Sequence, residues 1–172
     1  MSSLPDANES VRPAAADRRT ARLLVGGQFA LLALILLLPE RRDWQLPSWL
    51  SRSTQVAVIF ALLLMAAAAT SLGRGLTAIP LPNAKAQLRT GGLYRFVRHP
   101  IYSGLLLFAG SEAIASGSYY RAAACFVLVL LIVAKARWEE RWLVARFDEY
   151  AGYARRTPRF LPSLKSLLKK AP

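Results

Sequence analysis

Arg98-His99-Pro100-Ile101-Tyr102 concentrates more chemistry in five residues than any other part of this chain. His99 is the sole histidine, and an imidazole can donate or accept a hydrogen bond. Pro100 suits the first position of a helix, where its missing N–H would be unsatisfied anyway. The backbone donors of such a helix start favour a carboxylate. Further along, Glu139 and Glu140 stand side by side among arginines. A carboxylate here can accept hydrogen bonds from a diol or an amine and can balance a cationic centre. Adjacent helical residues point about 100° apart, so the two glutamates need not share one role. One histidine and one cysteine, Cys125 in an apolar run, build neither a zinc site nor a disulfide framework unaided. No GxGxxG or Walker motif is present.

Each feature has a plainer reading when taken alone. An RHP tripeptide anchors a helix at headgroups, and paired glutamates beside arginines make a solvated helix face. Their context argues otherwise. Gly91-Gly92 precedes Tyr94, the RHPIY run follows, and Gly104 comes next. The two stretches also bracket an apolar hairpin, so residues distant in sequence can meet at one membrane face.

That hairpin belongs to a chain built of apolar blocks. The protein has 172 residues, 54% of them hydrophobic, with a mean hydropathy of +0.29. The first apolar block is 23–38, LLVGGQFALLALILLL, shorter than the roughly 20 residues that cross a bilayer. Arg22 at one end and Pro39 at the other suit its two interfaces. The second is 54–72, with the small-residue run 66–69 that permits close helix approach in lipid. Pro80 and Pro82 break any helix in the following connection. The third and fourth are 101–115 and 122–134, joined by SGSYYR. Glu112 lies within the third, where an ionisable group must face protein or water. From Lys135 to about Phe147 the pattern is that of an amphipathic helix, with Trp138, Trp142 and Leu143 on one face. The closing SLKSLLKK, 163–170, has the pattern of a short basic interfacial helix.

The fold class expected is therefore all-α: a helical membrane bundle of about four spans with interfacial helices at one face. Residues 1–22 read as a cytoplasmic tail, able to form a short helix near Ala14, and 23–172 as the membrane domain. The net charge is +13. It is concentrated in 1–22, 73–100 and 135–172, while 39–53 and 116–121 are near neutral. This alternation places both termini inside. The charge lies beside apolar spans, so attraction to anionic headgroups explains it better than nucleic-acid binding, for which no recognition fold is visible.

The elements GGLYRFVRHPIYSG, the paired glutamates of RWEERWL and the closing FDEYAGYARRTPRFLP resemble the isoprenylcysteine carboxyl methyltransferase and phospholipid N-methyltransferase superfamily. The resemblance covers about 87–162, and the cofactor-binding part it implies is about 86–162. It implies an integral-membrane enzyme that uses S-adenosylmethionine in a pocket at the cytosolic membrane face. Tyr94, His99, Pro100, Ile101, Tyr102 and Glu139 would then bind the cofactor, with backbone from 86–89, Gln87 and Leu88 included. Arg98, Lys135, Arg137 and Glu140 would be the catalytic set. Lys135 occupies the place of an arginine that serves the reacting carboxylate in eukaryotic members, offering a point charge in place of a fork. The acceptor implied is lipophilic or membrane-delivered: a prenylcysteine-like carboxylate, an amine lipid or a thiol. The implied location is a bacterial inner membrane with the cofactor site cytoplasmic. Two other readings are a non-catalytic small membrane protein and a reductase on a related scaffold.

Overall fold

The structure is a computed structural model that describes residues 14–41, 43–73 and 87–163. The first part of the N-terminal tail, the connection carrying Pro80 and Pro82, Ala86 and all but Ser163 of the expected basic tail helix lie outside the described residues. Among the described residues there are five α-helices and no strand.

Helix α1, Ala15–Leu37, begins well before the apolar block. Nothing between Asp17 and Leu23 breaks a helix. Asp17 accepts the Ala14 N–H at 3.1 Å, supplying one arm of a capping box. The expected short helix near Ala14 is thus the first part of the span itself, with Arg18, Arg19 and Arg22 exposed on it. Helix α2, Ser48–Leu72, likewise starts earlier than the apolar pattern and follows Pro47. Helix α3 is Pro100–Ala115 and helix α4 is Tyr119–Arg146. The span expected to end near 134 and the amphipathic helix expected after it form one unbroken rod. Hydropathy falls at Lys135, but neither glycine nor proline interrupts the backbone there. Helix α5, Tyr150–Arg156, folds back after a short turn.

Three helices, α1, α2 and α4, are long and apolar enough to cross a membrane, and α3 is a shorter apolar helix. At 16 residues α3 is about 24 Å long, less than the ~30 Å hydrocarbon core. At 28 residues α4 is about 42 Å long, so its last turns project beyond that core. Those turns carry Glu139 and Glu140 on the side where α3 begins. The spans leave Phe29, Ile59, Phe60, Leu63 and Phe126 more than half exposed, a surface suited to lipid.

Helix α2 packs on α3, and α1 on α4, with α3 and α4 also in contact. The core joins Ile35, Leu105, Ala109, Ala124, Leu128 and Ile132. Gly104 sets the α2–α3 approach: a Cβ there would lie 2.6 Å from Met65 Cγ and 2.9 Å from the Ala61 carbonyl oxygen. Gly104→Ala is accordingly expected to destabilise the protein by about 1–3 kcal/mol, the usual cost of overpacking. Thermal unfolding in detergent would measure the loss, and an unchanged midpoint would contradict this tight crossing.

At the opposite end the loops are tied together. Asp43 accepts the Tyr119 N–H at 2.9 Å, and Trp44 meets the Tyr119 ring edge-on. Arg121, which the sequence pattern placed in a loop, is buried within α4. Its guanidinium donates to the Leu36 and Leu38 carbonyls, satisfying acceptors that the end of α1 leaves open.

Candidate functional site

Gly92 takes a left-handed φ of 59°, which glycine adopts without a Cβ penalty. It opens a short 3₁₀ turn, Gly92–Arg95, that turns Tyr94 inward. Tyr94 is buried, and its hydroxyl donates to the Ala68 carbonyl of α2 at 3.4 Å. The Tyr153 hydroxyl of α5 donates to the Tyr94 carbonyl. Burial pushes the phenols of Tyr94, Tyr150 and Tyr153 above the ordinary tyrosine range, so all three stay protonated at neutral pH.

His99 is the N-cap of α3, and Pro100 follows as its first residue. The backbone of 98–99 is fixed by the segment after α5. Arg98 N–H donates to the Pro158 carbonyl at 2.9 Å, and His99 N–H to the Arg159 carbonyl at 3.1 Å. Ser103 reinforces the join, its hydroxyl donating to the His99 carbonyl at 3.1 Å and the Phe160 carbonyl at 2.6 Å. The His99 ring lies parallel to Tyr102, centroids 5.3 Å apart, and tilted against Phe160.

The paired glutamates divide their work. Glu140 is buried among donors: His99 Nε2 is 3.0 Å from its Oε1, and Arg98 Nη1 is 3.3 Å from the same oxygen. Arg159 grips both oxygens, Nε to Oε1 at 3.0 Å and Nη2 to Oε2 at 2.6 Å. This fork is the strong form of a charge-assisted pair. The hydrogen bonds to Glu140 hold the Arg159 guanidinium still more firmly in its charged form. Because a carboxylate only accepts, the proton of this pair sits on His99 Nε2, which leaves Nδ1 facing Glu139 Oε2 at 3.9 Å. Glu139 accepts the Tyr102 hydroxyl at 2.9 Å on that oxygen. Its other oxygen has no hydrogen-bond partner among the described residues.

One turn earlier on α4, the buried Lys135 donates to Gln28 Oε1 of α1 at 2.5 Å and lies 5.0 Å above the Tyr102 ring. Arg98, His99, Tyr102, Lys135, Glu139 and Glu140 therefore form one continuous cluster. Pro100 is buried at its base, Ile101 is half-buried beside it, and Tyr94 lies close enough to Glu139 to be influenced by its charge. Arg137 is exposed on α4, on the opposite side from Lys135 and Glu139 and one turn before Glu140. Gln87 is exposed and Leu88 half-buried. Among the described residues Gln87 makes no polar contact with the cluster. Glu112 is half-buried far along α3 and has no part in it.

Arg159 and Gln28 were not among the residues singled out from sequence. Gln28 had a usable signal, since it is the one polar side chain within 23–38. Arg159 had none beyond its place in TPRFLP.

Residues 53–150 match the phospholipid methyltransferase family. The chain is 40% identical over 78 residues to the cobalt-zinc-cadmium resistance protein CzcN of Cupriavidus metallidurans, covering 45% of this chain and 36% of that protein. It is 28% identical over 166 residues to the nickel-cobalt-cadmium resistance protein NccN of Alcaligenes xylosoxydans xylosoxydans, covering 91% of this chain and 75% of that protein.

Proposed function

Because the chain belongs to the phospholipid methyltransferase family, we propose that its cluster binds S-adenosylmethionine and delivers a methyl group to a lipophilic or membrane-borne acceptor. The observation that carries this reading is the meeting of His99, Tyr102 and Glu139 where α4 rises out of the apolar region. The donor set suits such a cofactor. Among the described residues Glu139 keeps one carboxylate oxygen without a hydrogen-bond partner, able to accept from a ribose diol or an amine and to balance a sulfonium charge. Arg98 Nε is buried without a hydrogen-bond partner among the described residues, a donor that a bound carboxylate would satisfy.

When bound, S-adenosylmethionine supplies an already activated methyl group, so the protein's task is alignment in a dry pocket rather than acid-base chemistry. Glu140 is engaged by Arg98, His99 and Arg159, which makes it the support of the site. His99 and Tyr102 form its stacked wall. Lys135 stands on the membrane side of Tyr102, at a depth where it would meet the polar end of an amphiphile. The basic segments at this end favour a cytoplasmic site, which on this reading faces inward from a bacterial inner membrane. On this reading residues 1–22 lie on the cytoplasmic side, 15–22 of them as the first turns of α1, and the rest of the chain is the catalytic membrane domain.

Delivery through the bilayer follows from the same placement. The cluster abuts the start of α3 and the end of the apolar part of α4, so an acceptor with its head at the interface reaches it without leaving the membrane. Transfer of radiolabelled methyl from S-adenosylmethionine should therefore occur to prenylated thiol acids or amine-headed lipids in detergent micelles. It should be weak with the same head groups lacking their chains. Equal transfer to the soluble heads would refute lateral delivery.

The two relatives are named for metal resistance. Among the described residues no group of three or more His, Cys, Asp or Glu gathers. The reading here rests on the site and the family.

A further inference from the structure

We propose that Arg159 is a positioning residue that sets the orientation and tautomer of His99 through Glu140, so that a segment beyond the family-matched residues 53–150 completes the site. This inference rests on the reading of the cluster as a cofactor pocket.

Three features bind the Thr157–Phe160 segment to the site rather than merely to the fold. The carbonyls of Pro158 and Arg159 receive the Arg98 and His99 N–H groups, fixing the backbone from which His99 projects. The Phe160 ring packs 6.0 Å from the imidazole. The Arg159 side chain, from the residue whose carbonyl accepts the His99 N–H, holds Glu140 by both oxygens. A carboxylate on a helix has rotamer freedom, and one hydrogen bond from an imidazole does not remove it. A planar fork does, because two parallel contacts define the carboxylate plane. With that plane held, Glu140 Oε1 faces His99 Nε2 and keeps the proton there. Nδ1 is thereby presented toward Glu139 and the space beside it. Arg98 Nη1 lies 3.3 Å from the same oxygen but, among the described residues, makes no hydrogen bond to Glu140, so it does not substitute for the fork.

The sole histidine makes the test direct. Protein labelled with ¹⁵N-histidine in detergent should show one pair of imidazole nitrogen resonances, those of a single tautomer protonated at Nε2. In Arg159→Met the pair should move toward tautomer-averaged positions. S-adenosylhomocysteine affinity should fall about tenfold, the equivalent of one charge-assisted hydrogen bond. Arg159→Lys keeps the charge but makes only one contact, and should move both readouts part of the way. Resonances unmoved in a folded Arg159→Met would overturn the proposal, even with weaker binding, by reducing Arg159 to a structural clamp. Should the methionine variant not fold, unmoved resonances in Arg159→Lys would overturn it equally. The imidazole readout needs no cofactor. A wild-type protein that shows the single tautomer yet binds no S-adenosylhomocysteine would therefore contradict the functional reading and leave the coupling of Arg159 to His99 supported.

Discussion

Replacing Glu140 with alanine should cost about 3–5 kcal/mol of stability, the range for removing one partner of a buried ion pair. Its carboxylate is the common anion for Arg98, His99 and Arg159, and its side chain is only 11% exposed. Without it, the Arg98 and Arg159 guanidiniums share a space that has lost the carboxylate balancing them, and His99 Nε2 loses its acceptor. Mutual repulsion of the two guanidiniums would open the join between 98–99 and 158–159. Thermal unfolding in detergent should show a large drop in midpoint and a poor yield of folded protein. A midpoint equal to that of the wild type would mean the two guanidiniums are balanced elsewhere, and the assignment of Glu140 as the support would fail.

His99→Ala should fold more nearly normally but bind S-adenosylhomocysteine up to about 3 kcal/mol more weakly, roughly a hundredfold in affinity. The backbone of residue 99 stays in place, because its N–H and carbonyl contacts do not involve the ring. What is lost is the imidazole between the two glutamates and the stacked partner of Tyr102. Glu140 would retain Arg159, which is why the stability loss should be smaller than in Glu140→Ala. Isothermal titration on the folded variant measures the difference. Undiminished affinity would return His99 to the role of a helix anchor at the membrane surface.

The legible parts of this protein are those written in local pattern. The hairpin of α3 and α4 follows from two apolar runs and a tight polar turn. The Pro100 helix start and the inward Tyr94 follow from proline and glycine at positions where backbone geometry leaves few options. The meeting of the 98–102 stretch with the paired glutamates was also expected, since a hairpin returns its ends to one face. The division of labour between Glu139 and Glu140 was legible only as a 100° difference in direction. Which of them faces the cations depends on a segment that arrives from beyond α5. Arg159 and Gln28 escaped notice for the same reason: each acts across a distance set by tertiary packing. Gln28 touches Lys135 from a different helix, and Arg159 reaches Glu140 after the chain reverses. The unbroken course of α4 was obscured because hydropathy marks where a helix leaves lipid, not where it ends. Arg137, placed with the catalytic set by its position near Lys135, is exposed on that same helix.

The central claim is that Glu139, His99 and Tyr102 form the binding place of S-adenosylmethionine in a membrane methyltransferase. Isothermal titration of the purified protein in detergent with S-adenosylhomocysteine, repeated with Glu139→Gln, tests it most directly. The glutamine keeps the shape and can still accept the Tyr102 hydroxyl, but it carries no charge for the cofactor. Saturable one-to-one binding by the wild type, weakened about tenfold or more in a folded Glu139→Gln, is the predicted result. No binding by the wild type, or equal binding by both proteins, would contradict the account.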